Sequence, residues 1–204
     1  MSEIKSFIAA GGSGSRLSLG YPKAGLKYHG HTLLYWSVVN MLDAGLEFIQ
    51  IFVNHPDWLS RFQEEMNQLP HLHFMLDKGF NNTFQLFKIY SSTQGGRHFF
   101  TYGHSPRPVK CYKRFAASNT LLGISLVPTT SKAEKIEYSP FQFIEPPYLL
   151  NCDQLNLEAN SWKHFFYNNC KFISPIINHL IPEFNFRHEW LQYRYYLHTQ
   201  RIAV

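Results

Sequence analysis

The feature that most constrains this chain is a glycine-rich turn placed directly behind a short apolar run: Phe7-Ile8-Ala9-Ala10 leads into Gly11-Gly12-Ser13-Gly14-Ser15-Arg16. Four apolar residues are too few for a helix, so their termination by glycines reads as a buried strand that ends in a tight loop. Glycines there let backbone N–H groups approach an anionic oxygen with no Cβ in the way. A helical turn behind the loop would add a favourable dipole. Two common phosphate loops are excluded by the residues themselves. A dinucleotide fingerprint needs a small residue at the third G-x-G-x-x-G position, where Leu17 stands after Gly12 and Gly14. A P-loop needs a closing Gly-Lys-Ser/Thr, and here Arg16 follows Ser15.

Downstream, strand-like and helix-like segments alternate, the pattern of a mainly parallel sheet covered by helices on both faces. Further strands are expected over Phe48 to Val53, Leu72 to Leu76, Phe99 to Tyr102 and Leu121 to Val127. Leu34, Val38, Met41 and Leu42 recur at helical spacing behind a possible cap at Thr32, and Gly45 marks the end. Leu59, Phe62, Met66 and Leu69 do the same behind Pro56, a suitable first-turn residue. A third helix is expected from Asn81 or Asn82 to Ser92, and a fourth from Val109 to Ala117. Past Val127, Pro128, Pro140, Pro146 and Pro147 interrupt any long element, leaving late helices at Ser161 to Cys170 and Arg187 to Gln200.

With 204 residues, 45% of them apolar and 17% aromatic, the chain has enough apolar surface to offset its ordering entropy, which excludes disorder. One domain is expected, with residues 1–127 as a nucleotide-binding core and residues 128–204 as a less regular part that builds the acceptor site and the C-terminus. The formal charge of +5 is spread thinly, which argues against a polybasic membrane patch. No run of about 18 apolar residues occurs, so no membrane span is expected. The opening apolar stretch is too short for a secretion signal. Cys111, Cys152 and Cys170 are odd in number and lack metal-type spacing, as expected of unpaired thiols in a cytoplasmic protein.

Several anchors stand in register: Ala9 to Leu17, then Pro22-Lys23-Ala24-Gly25-Leu26, Gly30-His31-Thr32-Leu33-Leu34, and Asp43-Ala44-Gly45. Together they resemble the opening of the nucleotidyltransferases that activate sugar phosphates, alditol or choline phosphates, and molybdopterin cofactors. The resemblance covers Phe7 to about His55. It implies an α/β, Rossmann-like nucleotide-diphospho-sugar transferase fold, with a mainly parallel central sheet and helices on both faces. It also implies transfer of a nucleoside monophosphate from a triphosphate to a small phosphorylated or phosphonylated acceptor, with release of pyrophosphate and with a divalent cation, Mg²⁺ or Mn²⁺, as cofactor.

On that resemblance Ala10, Gly11, Gly12, Ser13, Gly14 and Ser15 cradle the triphosphate, Arg16 meets the β- and γ-phosphates, and Lys23 stands at the α-phosphate. Fixed cations suit this chemistry, because an anionic acceptor attacking an anionic phosphate accumulates charge. Lys27 matches no anchor and reads as a solvated surface residue. Phe80-Asn81-Asn82-Thr83 looks like the Asn-Asn segment of choline-phosphate and phosphonate cytidylyltransferases, which makes CTP the first expectation and puts Asn82 and Thr83 at the base or ribose. Plain helix capping explains the same asparagines equally well.

One position departs from the family. Thr101-Tyr102-Gly103-His104-Ser105-Pro106-Arg107 stands where relatives place a Gly-Asp pair whose carboxylate holds magnesium, so Gly103 keeps its place and His104 replaces the acid. Magnesium prefers oxygen ligands in octahedral geometry, and imidazole is a poor substitute. Three explanations stay open: His104 binds a softer ion or meets a substrate phosphate together with Arg107; another acid such as Asp77 or Asp153 holds the metal; or catalysis is lost. Glu158, Glu183 and Glu189 fit no motif for a second acid. The alternative function is accordingly an inactive nucleotide-binding relative acting as a sensor or partner. Nucleic-acid binding around Lys110 to Phe115 and Arg187 to Arg201 ranks below both, since no recognised module is present. The acceptor site is expected after Val127, where Tyr138, Phe141, Phe143, Tyr148 and Trp162 offer aromatic walls, although most of these are also natural core residues.

Overall fold

The computed structural model describes residues 3–12, 14–77, 79, 82–128, 136–139, 142–177, 187–200 and 202. Strand β1 (Ile4–Ala9) is buried over its last four residues. It pairs in parallel on one side with β4 (Ile49–Val53), which in turn pairs with β5 (Leu72–Leu76). On its other side it pairs in parallel with β6 (Arg97–Tyr102). The chain therefore builds outward from β1 through β4 to β5 and then crosses back to begin the other half at β6. That reversal leaves a crevice at the carboxyl ends of β1 and β6, the place where open α/β sheets take ligands.

Beyond β6 the sheet continues through β9 (Gln142–Asn151) and β7 (Leu122–Pro128) to β10 (Ile173–Ile177), and β8 (Ile136–Ser139) pairs with the first part of β9. β9 is antiparallel to β6 and β7, whereas β7 and β10 are parallel. The five expected strands are present; β8, β9 and β10 are additions in the stretch where only helices were expected. Pro146 and Pro147 lie inside β9 because the pairing changes around them. Residues on one side of the prolines bond β8, residues 148–151 bond β6, and the β7 register slips across the same stretch. A proline lacks the N–H that a ladder needs and is tolerated where the ladder is already broken. β10 likewise carries Pro175, followed by a register slip before Ile177.

Because successive strand residues face opposite sides, Ile8 enters one core while Phe7 and Ala9 enter another. The first core lies under α1 (Leu33–Leu42), α2 (Pro56–Glu65) and α4 (Val109–Ala116), through Leu34, Val38, Met41, Phe62, Tyr112 and Phe115. The second lies under α3 (Thr83–Ser92) and α5 (Trp162–Asn168), through Phe84, Phe87, Trp162, Phe165 and Phe166. Each fully buried side chain of this size contributes roughly 1.5–3 kcal/mol, which makes these faces the main source of stability.

The helices begin and end where local chemistry dictates. The Thr32 hydroxyl accepts from the Tyr35 N–H at 3.2 Å, and Glu65 of α2 accepts from the Thr32 N–H and hydroxyl at 2.9 and 2.6 Å, tying the start of α1 to α2. Gly45 takes a φ of +79° just past α1, a conformation that costs glycine little. Asn82 and Ser161 cap α3 and α5. A short hairpin of β2 (Lys27–Tyr28) and β3 (His31–Thr32) precedes α1. A final helix, α6 (Arg187–Thr199), covers a third cluster, in which Tyr193, Tyr196 and Leu197 meet Tyr28, Leu33, Leu17 and Leu26. Among the described residues no helix is long and apolar enough to cross a membrane, and Cys111, Cys152 and Cys170 are free thiols.

Candidate active site

The glycine loop leaves β1 at the crevice and is framed from β4. The Ala10 N–H donates to the Phe52 carbonyl at 2.8 Å, and the Gly12 N–H donates to Oδ1 of Asn54 at 3.1 Å. These bonds commit the Ala10 and Gly12 amides, both expected in the cradle, to the frame of the loop. A Cβ at Gly11 would lie 3.0 Å from the Asn54 side chain, and Gly14, at φ +61°, would place one 2.4 Å from the Tyr21 carbonyl oxygen. No L side chain fits at Gly14, on either conformational or steric grounds. Ser15–Leu17 then forms a single 3-10 turn closed by the Leu17 N–H on the Gly14 carbonyl at 2.9 Å. The expected helix dipole is thus small. The backbone of Arg16 lies in this turn, and Ser13 lies outside the described residues.

Lys23 opens a second 3-10 turn, Lys23–Gly25, held against α2: a Cβ at Gly25 would strike the Trp58 ring at 2.4 Å. Tyr21 stacks on Trp58 with ring centres 5.2 Å apart, and the Tyr21 carbonyl abuts Gly14. The glycine loop and the lysine segment are therefore one packed unit. Lys27 is exposed on β2, as a surface lysine should be.

The opposite wall follows β6. The Gly103 N–H donates to the Ala9 carbonyl at 3.0 Å and extends the β1–β6 pairing by one step. His104, 8% exposed, lies almost flat on Tyr102, with ring centres 5.4 Å apart and planes 13° apart. Two polar residues of α1 hold this loop from below: the Ser37 hydroxyl donates to the Gly103 carbonyl at 3.3 Å, and the Asn40 amide donates to the Arg107 carbonyl at 3.0 Å. Arg107 is fully buried. Burial alone weakens its charged form, but the Tyr193 and Tyr196 phenols, Glu145 and Cys111 outweigh that and raise its pKa. Burial also raises the pKa of the Cys111 thiol and of the Tyr196 phenol. The guanidinium is thus enclosed away from solvent on the inner side of the loop that carries His104.

Asn82 and Thr83 stand at the crevice end of β5 and α3. Asn82 caps α3 by accepting from the Gln85 N–H at 3.0 Å and donates to the Asn160 carbonyl at 3.0 Å. The Thr83 hydroxyl accepts from the Trp162 indole N–H at 3.1 Å and still carries one proton to give. Asn81 lies outside the described residues. Of the expected aromatic walls, Tyr148 and Trp162 are core, at 2% and 8% exposed, and Phe141 lies outside the described residues. Tyr138 and Phe143 line a trough of about 840 Å³ between α5 and β8–β9, which Lys163, His164 and Glu137 also reach.

The fit of a divalent cation is tested by these donors. Among the described residues no three His, Cys, Asp or Glu side chains converge as a metal site. Asp153 accepts from the Gly96 N–H at 2.8 Å at the opposite end of β6, too far along the sheet to serve the crevice. Asp77 accepts from the Gly79 N–H at 3.1 Å, beyond β5. One imidazole does not make a site for a hard cation. Four residues that frame the site, Ser37, Asn40, Asn54 and Tyr193, were not anticipated. Ser37 and Asn40 carried a usable signal, since they interrupt the apolar stripe of α1.

No protein-family model matches the chain, and no curated sequence does. Solved structures do match along its whole length. The inositol-1-phosphate CTP transferase of T. maritima is 13% identical, with 100% of this chain and 98% of that chain covered at a TM-score of 0.74. A nucleotidyl transferase of Methanothermobacter thermautotrophicus is 16% identical, with 98% and 100% covered at 0.71. The 4-diphosphocytidyl-2C-methyl-D-erythritol synthase of Anaerococcus prevotii is 12% identical, with 97% and 96% covered at 0.69. With strands from both halves of the chain in one mixed, mostly parallel sheet, and a glycine loop at its point of reversal, the chain has the α/β Rossmann-like fold of the nucleotidyltransferases.

Proposed function

We propose that the protein transfers a nucleoside monophosphate from a triphosphate, CTP first, to a small phosphorylated or phosphonylated acceptor. The observation that carries this reading is the glycine loop, framed by Asn54 and packed against the Lys23 segment, at the reversal of the sheet. An acceptor oxygen attacks the α-phosphorus, the bond between that phosphorus and the oxygen bridging to the β-phosphorus breaks, and pyrophosphate leaves. Backbone donors of the glycine loop other than those of Ala10 and Gly12 hold the triphosphate, Arg16 takes the β- and γ-phosphates, and Lys23 offsets charge growing at the α-phosphate. Asn82 and Thr83 stand by the base, with the Thr83 proton as a donor. Gly103 and His104 form the facing wall, and the trough beside Tyr138 and Lys163 takes the body of the acceptor. Residues 1–127 supply the nucleotide half and residues 128–204 the acceptor half.

The test is pyrophosphate release from each nucleoside triphosphate with a panel of phosphorylated acceptors, run with Mg²⁺, with Mn²⁺ and with chelator. Arg16→Ala and Lys23→Ala each remove a charge-assisted contact worth roughly 1.5–3 kcal/mol, which corresponds to a loss of roughly ten- to a hundredfold in kcat/KM. Unaltered nucleotide affinity in both variants would remove the premise. His104 in place of a carboxylate favours a second reading, a nucleotide-binding relative without turnover. Tight binding with no pyrophosphate released under any metal condition selects it.

A further inference from the structure

The two walls of the crevice share one outside support. Tyr193 of α6, 1% exposed, donates its hydroxyl to the Pro106 carbonyl at 3.1 Å, and the Arg107 guanidinium carbon lies 6.0 Å from the centre of the same ring. With Ser37 on Gly103 and Asn40 on Arg107, three carbonyls of the loop after β6 are held, two from α1 and one from α6. Leu17, the last residue of the turn behind the glycine loop, packs against the cluster to which this face of α6 contributes Tyr193, Tyr196 and Leu197. The helix belongs to neither main core. Its cluster draws on the β2–β3 hairpin, the start of α1 and Leu17, while Leu191, Arg194 and Tyr195 face outward. Its packing therefore secures the rims of the crevice and not the sheet.

We propose that α6 is a latch that fixes the two walls of the crevice relative to each other, with Tyr193 and Arg107 as positioning residues for the loop that carries His104. Groups that stabilise a charged transition state act best when their positions are set before the reaction begins. Only the kinetic consequence of the latch rests on nucleotidyl transfer; its mechanical part stands on the contacts alone.

Native-state hydrogen exchange of the full chain separates the two. The reporters on one wall are the amides of Gly103, Ser105 and Arg107, which donate to Ala9, Tyr102 and the Tyr112 hydroxyl. On the other they are those of Leu17, Ser18 and Leu19, which donate to Gly14 and Ser15. Tyr193→Phe removes one hydroxyl and is expected to speed exchange at Gly103, Ser105 and Arg107 by roughly three- to tenfold, with β4 and β5 unchanged. Turnover should fall by a similar factor at constant KM for the triphosphate. Leu197→Val loosens α6 without touching either wall's hydrogen bonds and should speed exchange on both walls together. Unchanged exchange in Tyr193→Phe, a response on one wall only in Leu197→Val, or uniform acceleration that includes β4 would each overturn the latch. If the wild-type chain releases no pyrophosphate, the transfer reading falls while the exchange measurements still decide the latch.

Discussion

Gly103→Ala tests the steric logic that closes β6 onto the crevice. A Cβ at this position would lie 2.8 Å from Cδ1 of Leu34, 3.1 Å from Cβ of Ala10 and 3.2 Å from Cγ2 of Ile8. The first distance is below any normal contact, and Leu34 is fully buried, so its methyl cannot swing into solvent. Overpacking of this kind costs about 1–3 kcal/mol. For a chain of this size that lowers Tm by roughly 2–12 °C. The cost has one main source, which makes it separable. Leu34→Ala alone leaves a cavity and costs about 2–5 kcal/mol. In that background the new methyl enters the vacated space, and adding Gly103→Ala should cost about nothing. Urea denaturation of the four proteins should then give a favourable coupling of about 1–3 kcal/mol between the two substitutions. Costs that simply add, to within about 0.5 kcal/mol, would refute the Leu34 methyl as the obstacle.

Three further outcomes are expected. Asn54→Ala removes the acceptor of the Gly12 amide at the surface; stability should change by no more than about 1 kcal/mol while nucleotide affinity by calorimetry falls roughly three- to tenfold, and equal affinity would separate the frame from binding. His98 is fully buried with Nε2 2.7 Å from the Gly95 carbonyl, and burial pushes its pKa below the ordinary 6.5. The unfolded chain thus takes up a proton that the folded chain refuses, so stability falls as pH drops below about 6.5; His98→Gln should flatten that slope, and parallel slopes in urea titrations would contradict it. Burial pushes the Cys111 thiol up to about 11 and that of Cys152 up to about 12, whereas Cys170 is exposed. Iodoacetamide near neutral pH should therefore label Cys170 first, and early labelling of Cys152 detected by mass spectrometry would count against this burial.

What could be read in the sequence was local. The strand before Gly11, the caps at Thr32 and Asn82, Pro56 in the first turn of α2 and Gly45 behind α1 all follow from short-range backbone chemistry, and all are present. β9 escaped notice because Pro146-Pro147 signals a break unless the pairing partners are known to change there. The burial of Arg107 was not legible, because its enclosure depends on Tyr193 and Tyr196, more than eighty residues away. Asn54, two residues before Pro56, carried no sequence signal; only the parallel register of β1 and β4 brings it under Gly12.

The prolines of the sheet also bear on how molecules meet in concentrated solution. Among the described residues the main sheet ends in β5 on one side and β10 on the other. β10 carries Pro175, which offers no N–H to an arriving strand, whereas β5 runs from Leu72 to Leu76 with no proline and with Leu76 36% exposed. Strand addition is thereby disfavoured at β10 relative to β5. Two molecules joined at β5 would leave β10 and β8 as outer strands, so Pro175 resists one of the two routes by which such a pair would grow along the sheet.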